Sequence, residues 1–272
     1  MAEVIDIKDF KSKNIIFDKP QEKKKGSSFY VYLKYKYPSG KVDFLRIRTE
    51  KMKTPFGVSS MDGQNIADYP SLTTNESIAL AFDSFDNEAI KEINALDILG
   101  QEICRKHAVE FMIADPDDDI PIDNQVKAFV KRNFISSIKY SIDKDTKKIS
   151  DKYPPSFKVK LYKNDGYYNH KFYKKGNKQL IKVSPETISD LIPKNSEIMA
   201  IVTCPKLWVI SGKVGFSWIP EQIQIHPSSS TVKECDFPSD DENDEDDASI
   251  HSKQSLLNKE NNEEESEYED EE

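Results

Sequence analysis

Cysteine and histidine are scarce in this sequence, which holds three cysteines and four histidines in 272 residues. Cys104, Cys204 and Cys235 are widely separated and odd in number, so they imply no disulfide framework. Neither the cysteines nor the scattered histidines have the spacing that a metal site requires. The sequence therefore predicts no metal and no other cofactor.

Motifs that would indicate catalysis are lacking as well. The stretch "SGKVG", residues 211–215, has neither the spacing of a phosphate-binding P-loop nor the serine or threonine that follows its lysine. Cys104 and His107 lie three residues apart in a predicted helix, and a half-buried thiol beside a surface imidazole explains them more simply. Paired carboxylates occur only in acidic runs that water would solvate. We expect a protein that is not an enzyme.

Long apolar runs are absent from the sequence. No run approaches the roughly 20 residues that a helix needs to cross a bilayer. The first residues, "MAEVIDIKDFKSK", lack the apolar centre of a signal peptide. We expect an intracellular protein that is not secreted and does not associate with a membrane.

Charge is distributed unevenly along the chain. Of its 39 basic and 48 acidic residues, two lysines and 18 acidic residues lie between Glu234 and Glu272, which gives this stretch a net charge of −16. The preceding residues 1–233 hold 37 basic and 30 acidic residues, a net charge of +7. A basic body followed by an acidic tail is typical of proteins that bind nucleic acid.

The spacing of apolar residues predicts a mainly β protein with inserted helices. Alternation indicates strands within residues 27–52, 76–82, 157–173 and 196–227, whereas steps of three and four residues indicate helices within 85–134. No internal repeat is visible. Several strands with one helical insertion favour a single domain of the β-rich α+β class.

The domain organisation follows from this pattern and from the charge. Residues 27–232 are expected to form the domain that binds nucleic acid, with its helical insertion at about 85–134. Residues 1–26 are expected to be a charged N-terminal lead-in. Residues 233–272, the acidic tail, hold few core-forming residues, and we expect them to be disordered.

Tyrosines and cations share one face of the first predicted strand pair. Side chains alternate between the two faces of a strand, and the apolar residues of 27–52 occupy one face on either side of the turn Pro38-Ser39-Gly40. The opposite face carries Tyr30, Tyr32, Lys34 and Lys36 in the first strand and Arg46 and Arg48 in the second.

A second stripe of the same kind follows from Asp165-Gly166, a strong signal for a two-residue hairpin, because a type I′ turn needs positive φ at both central positions. The register then predicts four pairs: Asn164 with Tyr167, Leu161 with His170, Lys160 with Lys171 and Val159 with Phe172. One face of this hairpin is apolar. The other carries Lys158, Lys160, Tyr162, Tyr167, Lys171 and Tyr173.

Interleaved rings and cations on an exposed surface are what single-stranded nucleic acid requires, since bases stack on the rings and cations follow the phosphates. For any single tyrosine, a place at the edge of the core explains the residue equally well. Two independent stripes favour binding. The stacking candidates are Tyr30, Tyr32, Tyr162, Tyr167 and Tyr173, and the phosphate candidates are Lys34, Lys36, Arg46, Arg48, Lys158, Lys160, Lys171 and Lys175.

The acidic tail has a solvating and a functional interpretation. A flexible polyanion tethered to a cationic groove competes with nucleic acid at high local concentration, and it is free to engage a partner once nucleic acid displaces it. The residues that we expect to contact such a partner are Asp240, Asp241, Glu242, Asp246, Asp247, Glu267, Tyr268, Glu269 and Asp270.

Several stretches resemble a known family. They are "YPPSFKVKLY" (153–162), "LWVISGKVGFSWIPEQIQI" (207–225) with its "SGKVGFSW" segment, and "KTPFGVS" (53–59), followed by the acidic tail. Together they resemble the replicative single-stranded DNA-binding proteins of nucleocytoplasmic large DNA viruses, which are similar to the acidic-tailed single-stranded DNA-binding proteins of short-tailed phages. The resemblance covers most of residues 27–232.

This resemblance implies an OB-fold-like barrel with a helix between its third and fourth strands. It also implies a role in viral DNA replication, recombination and repair, together with a replicative polymerase, a primase-helicase and recombination proteins. The site of action would be the viral replication site in the host cytoplasm, or the nucleus. The phage relatives end their tail in an aromatic residue, whereas here Tyr268 is followed by four acidic residues.

Two other functions remain open at the level of sequence. The body could bind single-stranded RNA, as OB folds do. Alternatively, the acidic tail could be the working part of a non-enzymatic interaction protein resembling a histone chaperone. A homodimer is also left open.

Overall fold

The structure, a computed structural model, describes residues 2–60 and 76–226. These residues belong to one compact unit. Cys235 and all the candidate residues of the acidic tail, from Asp240 to Asp270, lie outside the described residues.

The described chain is mainly β. Its strands are β1 (Ile5–Asp6), β2 (Ile15–Phe17), β3 (Gln21–Lys24), β4 (Ser28–Lys36), β5 (Val42–Asp43), β6 (Arg46–Arg48), β7 (Met52–Thr54), β8 (Val58–Ser60), β9 (Glu76–Ala81), β10 (Phe134–Ile135), β11 (Ile138–Lys139), β12 (Ser156–Leu161), β13 (Lys163–Asn164), β14 (Tyr167–Tyr168), β15 (Lys171–Lys174), β16 (Ser196–Thr203), β17 (Lys206–Ile210), β18 (Lys213–Phe216) and β19 (Ile219–His226). The α-helices are α1 (Glu88–Lys106), α2 (Ile122–Asn133) and α3 (Pro185–Leu191), and two short 3-10 helices span Ile7–Asp9 and Ser12–Asn14.

These strands form two sheets and a short hairpin of β13 and β14. The larger sheet has the order β1-β6-β16-β7-β9-β12-β11, with β19 pairing β16, β15 pairing β19, and β8 pairing β9. The smaller sheet has the order β10-β18-β17-β4-β2, and β3 and β5 also pair with β4. The curled half-barrel fits an OB-like fold, which confirms the expected mainly β architecture with inserted helices.

The two faces of β4 agree with the prediction from the alternation of its residues. Apolar side chains that alternate along a strand all reach the same side of the sheet, and here that side is the core. The buried residues are Phe29, Val31, Leu33 and Tyr35, whereas Tyr30, Tyr32 and Lys34 are partly exposed and Lys36 is exposed.

Helix α1 covers the inner side of the smaller sheet. The Asn87 side chain caps it by accepting the N–H of Ala89 at 2.9 Å. On its buried side lies Gly100, where a Cβ would come within 2.8 Å of the Phe216 ring of β18. Because α1 occupies the inner side, the outer side of β4, β17 and β18 carries the polar and aromatic residues described below.

A buried polar contact fixes α1 to the connection between β10 and β11. The Asp97 carboxylate accepts the backbone N–H of Ser137 at 2.8 Å and its hydroxyl at 2.7 Å. The Trp218 indole N–H donates to the same hydroxyl at 2.9 Å. Burial raises the pKa of Asp97 to about 6, against the opposing effects of the Ser137 hydrogen bonds and the charge of Lys139.

The first predicted strand pair is shorter than the sequence suggests. β5 pairs with β4 at two positions only. β6, which carries Arg46 and Arg48, then crosses to the larger sheet, where it pairs with β16 and β1. Leu45 and Ile47 are buried as expected, so the faces of this segment were predicted correctly and its partner strand was not.

The second predicted hairpin is confirmed only at its turn. Asn164 pairs with Tyr167, and Asp165 and Gly166 have φ values of 49° and 78°. The other three predicted pairs are wrong, because β12 pairs with β9 and β15 pairs with β19 in parallel. Lys160 therefore lies opposite Ser77, and Lys171 lies opposite Gln222.

A histidine side chain ends this hairpin. His170 is buried, and its Nε2 accepts the backbone N–H of Tyr162 at 2.7 Å while its Nδ1 contacts the carbonyl of Pro220. The imidazole nitrogen thus accepts the hydrogen bond that a backbone carbonyl of a partner strand would otherwise accept. Because the N–H of Tyr162 is already satisfied, the chain after His170 can turn away and join β19.

Residues 2–26 differ from the expected lead-in because they belong to the fold. They form β1, β2 and β3, which pair with β6 and β4. Phe10 is fully buried, with its ring centroid 5.7 Å from that of Tyr35. Three short strands leave too few apolar positions for a periodic signal, so the sequence pattern did not indicate them.

Candidate nucleic-acid interface

Two adjacent strands bring three large rings together on the outer side of the smaller sheet. β17 runs antiparallel to β4, and the register places Trp208 opposite Tyr30 and Lys206 opposite Tyr32. Side chains of paired residues project to the same side of a sheet. Tyr30, Tyr32 and Trp208 are all partly exposed there, and we call these three residues the aromatic platform.

A glycine gives the indole of the platform its place. Trp208 lies opposite Gly215 of β18. A Cβ at Gly215 would lie 3.1 Å from Cζ2 of Trp208 and 3.2 Å from the carbonyl oxygen of Ile135. Such contacts are closer than a β-carbon normally makes, so the missing side chain allows the indole to lie close to the backbone of β18.

Each ring of the platform has a lysine ammonium group near its face. Ammonium groups are attracted to the electron-rich faces of aromatic rings. The distances from Nζ to the ring centroid are 3.6 Å for Lys206 and Tyr30, 5.5 Å for Lys160 and Trp208, and 5.7 Å for Lys23 and Tyr32. We call Lys23, Lys160 and Lys206 the platform lysines.

The larger sheet extends the platform from a distant part of the chain. Lys158 and Lys160 project from the outer side of β12, and Tyr162 follows directly after this strand. Burial raises the pKa of Tyr162, and the nearby hydroxyl of Tyr30 raises it further. The two stripes that the sequence predicted separately therefore meet at Tyr30, Tyr162 and Lys160.

His170 holds Tyr162 in position through the backbone contact described above. Burial lowers the pKa of His170, although its hydrogen bond to Pro220 acts in the opposite direction. The neutral imidazole fits both contacts, with Nδ1–H donating to the Pro220 carbonyl and Nε2 accepting from the Tyr162 backbone.

The lysines of this surface are crowded by one another. Desolvation lowers the pKa of Lys160, and the charge of Lys158 lowers it further. Desolvation also lowers the pKa of Lys206, followed by the charges of Lys23 and Lys160. Like charges held this close repel each other, and an anion placed between them would relieve the repulsion.

Beyond Tyr162 the surface continues into a groove of about 510 Å³, whose lining includes Arg46, Tyr162 and Lys171. Arg46 is less available than the platform lysines, because its Nε donates to the Glu221 carboxylate at 2.7 Å. Lys171 is exposed on β15. The groove therefore adds one exposed lysine to the basic surface.

Two other phosphate candidates also have carboxylate partners. The Lys34 ammonium lies 3.1 Å from the Asp18 carboxylate, and the Arg48 guanidinium lies 3.1 Å from that of Asp6. Surface ion pairs of this kind are weak, but each carboxylate offsets the charge that a phosphate would meet. We call Lys34, Arg46 and Arg48 the paired cations.

The remaining predicted residues are spread over the surface. Lys36 is exposed at the end of β4, and Tyr167 lies at the hairpin turn with the Lys182 ammonium 3.6 Å from its ring centroid. Tyr173 lies opposite Gln224 on β15. Lys175 follows this strand, where its charge lowers the pKa of His226 after the larger effect of desolvation.

Sequence reasoning missed three residues of the site: Lys23, Lys206 and Trp208. The alternation in "KLWVI", residues 206–210, was a usable signal, because Leu207 and Val209 are buried while Lys206 and Trp208 face outward. This alternation does not indicate which strand lies beside β17, since β17 and β4 are far apart in sequence.

The described ranges hold neither a metal cluster nor a membrane-spanning helix. Residues 2–60 and 76–226 contain no group of three or more potential metal ligands of the histidine, cysteine, aspartate or glutamate type. In the same part of the chain, no helix is long and apolar enough to cross a membrane.

Comparison with known proteins gave structural neighbours only. No family model matches the sequence, and no curated protein matches it. The neighbours include three structures of the single-stranded DNA-binding protein from bacteriophage Enc34. Its complex with single-stranded DNA has a TM-score of 0.39 at 11% identity, covering 76% of this chain and 93% of the phage chain.

The other two structures are similar at the same level. The phage protein without DNA has a TM-score of 0.39 at 13% identity, covering 82% of this chain and 96% of its own. A C-terminal truncation has a TM-score of 0.35 at 13% identity, covering 78% and 96%. At these TM-scores and identities, the function has to be inferred from the geometry of the platform.

Proposed function

We propose that the protein binds single-stranded DNA without catalysing a reaction, holding bases on the aromatic platform and phosphates with the lysines around it. The observation that carries this proposal is the convergence of Tyr30, Trp208 and Tyr162 with Lys160 and Lys206, which come from three separate segments of the chain. Stacking contributes about 1–3 kcal/mol per base, with little dependence on sequence.

The charge around the platform supports this ligand. Neighbouring ammonium groups lower the pKa values of Lys160 and Lys206 after the larger effect of desolvation, so a polyanion would be favoured between them.

The biological setting that we propose is viral-type DNA replication, recombination and repair, in which the protein protects exposed single strands in the host cytoplasm or nucleus. The acidic tail, residues 233–272, competes with DNA for the cationic surface. Once DNA displaces it, the tail recruits a replicative polymerase, a primase-helicase or recombination proteins. A charged tail of this kind acts at high local concentration because it is tethered.

The test is fluorescence anisotropy with labelled single-stranded DNA, duplex DNA and single-stranded RNA of equal sequence. The full chain is compared with a truncation to residues 1–233 at low and moderate salt. We expect tight binding to single-stranded DNA that strengthens on truncation, most clearly at low salt, where an acidic competitor acts most strongly.

Three outcomes would contradict the proposal in different ways. A strong preference for RNA would make the protein an RNA binder. Equal binding of duplex DNA would show that the rings do not stack on bases. No binding by either protein, together with loss of activity on basic partners after truncation, would favour the acidic interaction protein.

A further inference from the structure

A second group of rings, two of them exposed, surrounds a groove on the larger sheet. The groove has a volume of about 1060 Å³, and its lining includes Phe56, Tyr140 and Tyr153. Phe56 is 62% exposed and Tyr153 is 58% exposed, which is a large apolar area to leave facing water. We call these three residues the aromatic groove.

The walls of the aromatic groove are held in place by their neighbours. The Tyr140 hydroxyl accepts the Asn94 side-chain N–H at 2.9 Å, and its ring stacks on that of Phe85 with the centroids 6.4 Å apart. Phe56 precedes Gly57, whose φ of +63° and N–H bond to Thr54 at 3.1 Å define a tight turn. A fixed wall loses less conformational freedom when a ligand binds.

The aromatic groove and the platform lie on the same side of β12. Lys53, Ala81, Ser156 and Lys139 are successive register partners across β7, β9, β12 and β11, so their side chains project to one face. Ser156 lines the groove. Four residues further along the same strand, which is about 13 Å, the Lys160 ammonium lies over Trp208.

Lysines connect the two aromatic sites. Desolvation lowers the pKa of Lys139 at the groove, and the charge of Lys158 lowers it further while Asp97 opposes them. Lys158 in turn lowers the pKa of Lys160 at the platform, after the effect of desolvation. The register gives the same order, because Lys139 lies opposite Ser156, and Lys158 and Lys160 follow at two-residue steps on the same side of β12. The three lysines therefore follow one another along the surface from the groove to the platform.

The charge at the groove itself favours an anion with apolar faces. Its lining contains Lys51, Lys53 and Lys139 together with two carboxylates. Of these, Glu197 pairs with the Lys51 ammonium at 2.8 Å, so Lys53 and Lys139 against Asp83 leave the lining a net formal charge of +1. Nucleotides combine a flat apolar surface with a negative charge, which matches both features.

We propose that the aromatic groove is a second stacking site for the same single strand of DNA, which runs from the platform over Lys160, Lys158 and Lys139 to Phe56 and Tyr153. This inference rests on the proposed function and adds to it the course of the strand. It implies that a short oligonucleotide occupies the platform alone and a longer one occupies both sites.

The test is a length series of labelled oligo-deoxythymidine, measured by fluorescence anisotropy with the full chain. The variant is Phe56→Ala/Tyr153→Ala. Its matched control is Ile98→Ala/Ile120→Ala, which removes two apolar side chains that are 56% and 51% exposed outside both sites. All four side chains face water, so the variants should fold, and their melting temperatures check this.

We expect the groove variant to bind the shortest oligonucleotides as the parent does. For longer ones we expect affinity to fall by about 5- to 150-fold for each base that no longer stacks, whereas the control keeps the parental affinity at every length. Photocrosslinking of bromodeoxyuridine placed along a long oligonucleotide should also label Tyr153 at one end and Trp208 at the other.

The failure of this inference is distinguishable from that of the proposed function. If the parent binds single-stranded DNA and the groove variant has the same length dependence, the second site is wrong and the platform stands. Equal losses at all lengths would also overturn the inference, because the groove would then not be a separate site. If the parent binds no single strand, the proposed function fails with it.

Discussion

The platform lysines and the paired cations lie on outward strand faces of the same protein, yet their surroundings differ. Lys160 and Lys206 lie close to rings and to other lysines. Arg46 and Arg48, by contrast, each contact a carboxylate. A row of basic residues in a sequence is therefore not yet a binding surface, because nearby acids decide how much of the charge a ligand meets.

The largest loss of DNA affinity is expected when the rings beside the platform lysines are removed. We expect Tyr30→Ala/Trp208→Ala to weaken single-stranded DNA binding by about 1–3 kcal/mol for each base that loses its stacking partner. The slope of log affinity against log salt should change little, since no charge is removed. Anisotropy titrations at several salt concentrations measure both quantities.

The control for this variant is Phe44→Ala, which removes a ring that is 50% exposed and belongs neither to the platform nor to the aromatic groove. If this control loses as much affinity as the platform variant, then the platform is not the stacking surface.

Removing charge from the platform lysines and from the paired cations tests whether nearby carboxylates weaken phosphate binding. We expect Lys160→Met/Lys206→Met to flatten the salt dependence by about 0.7 for each phosphate that is no longer neutralised, because fewer counterions are released. Lys34→Met/Arg48→Met removes the same formal charge from the paired cations and should flatten it less. Equal slopes in the two double variants would show that the carboxylates do not reduce the contribution of the paired cations to DNA binding.

The pH dependence of DNA binding should show the contribution of Lys160 and Lys206. Because the pKa values of Lys160 and Lys206 are lowered, these side chains lose their charge at lower pH than an ordinary lysine, whose pKa is about 10.4. Affinity should therefore fall as pH rises from neutrality towards about 10, and fall less in Lys160→Met/Lys206→Met. An affinity that stays constant over this range would argue against phosphate contacts from these lysines.

A smaller effect is expected from Gly215→Ala. The new Cβ would meet Trp208 Cζ2 at 3.1 Å and should displace the indole by a few tenths of an ångström. We expect a loss of a few fold in affinity, on the order of 1 kcal/mol. In a Trp208→Ala background the same substitution should have no further effect on binding, and a double-mutant cycle measures this coupling.

Asp97 is expected to affect the stability of the fold. Its folded pKa of about 6 lies above the unfolded value of 3.8, so the folded protein holds this proton more tightly. The contribution of Asp97 is therefore most favourable below pH 3.8 and is lost as pH rises through 6, by up to about 3 kcal/mol.

Denaturant unfolding of the parent and Asp97→Asn across this pH range tests the prediction. We expect the free energy of unfolding of Asp97→Asn, relative to that of the parent, to increase as pH rises from below 3.8 to neutrality. A difference that is independent of pH would contradict the raised pKa.

The faces of the strands were predictable from sequence, and the partners of the strands were not. The alternation correctly separated Tyr30 and Tyr32 from Phe29 and Val31. The same reasoning placed Lys160 opposite Lys171, whereas these residues pair with β9 and β19. The His170 ring, which holds Tyr162 at the point of divergence, gives no signal of this role in the sequence.

The candidate site divides in the same way. Tyr30, Tyr32, Lys160 and Tyr162 were predicted and are brought together. Trp208 was missed, because a tryptophan in an alternating strand is identified as a stacking residue only when its neighbours are known. The roles of all the predicted site residues in binding stay predictions until the variants are measured.

By itself, the sequence determined the mainly β class of the fold, the helical insertion and the side of each predicted strand that faces the core. These properties depend on the local period of two residues in a strand and 3.6 in a helix. Only the tertiary structure decided that β17 lies beside β4 and that β12 brings Lys160 over Trp208. Strand pairing joins residues far apart in the chain through contacts of the whole core, and a local pattern holds no information about them.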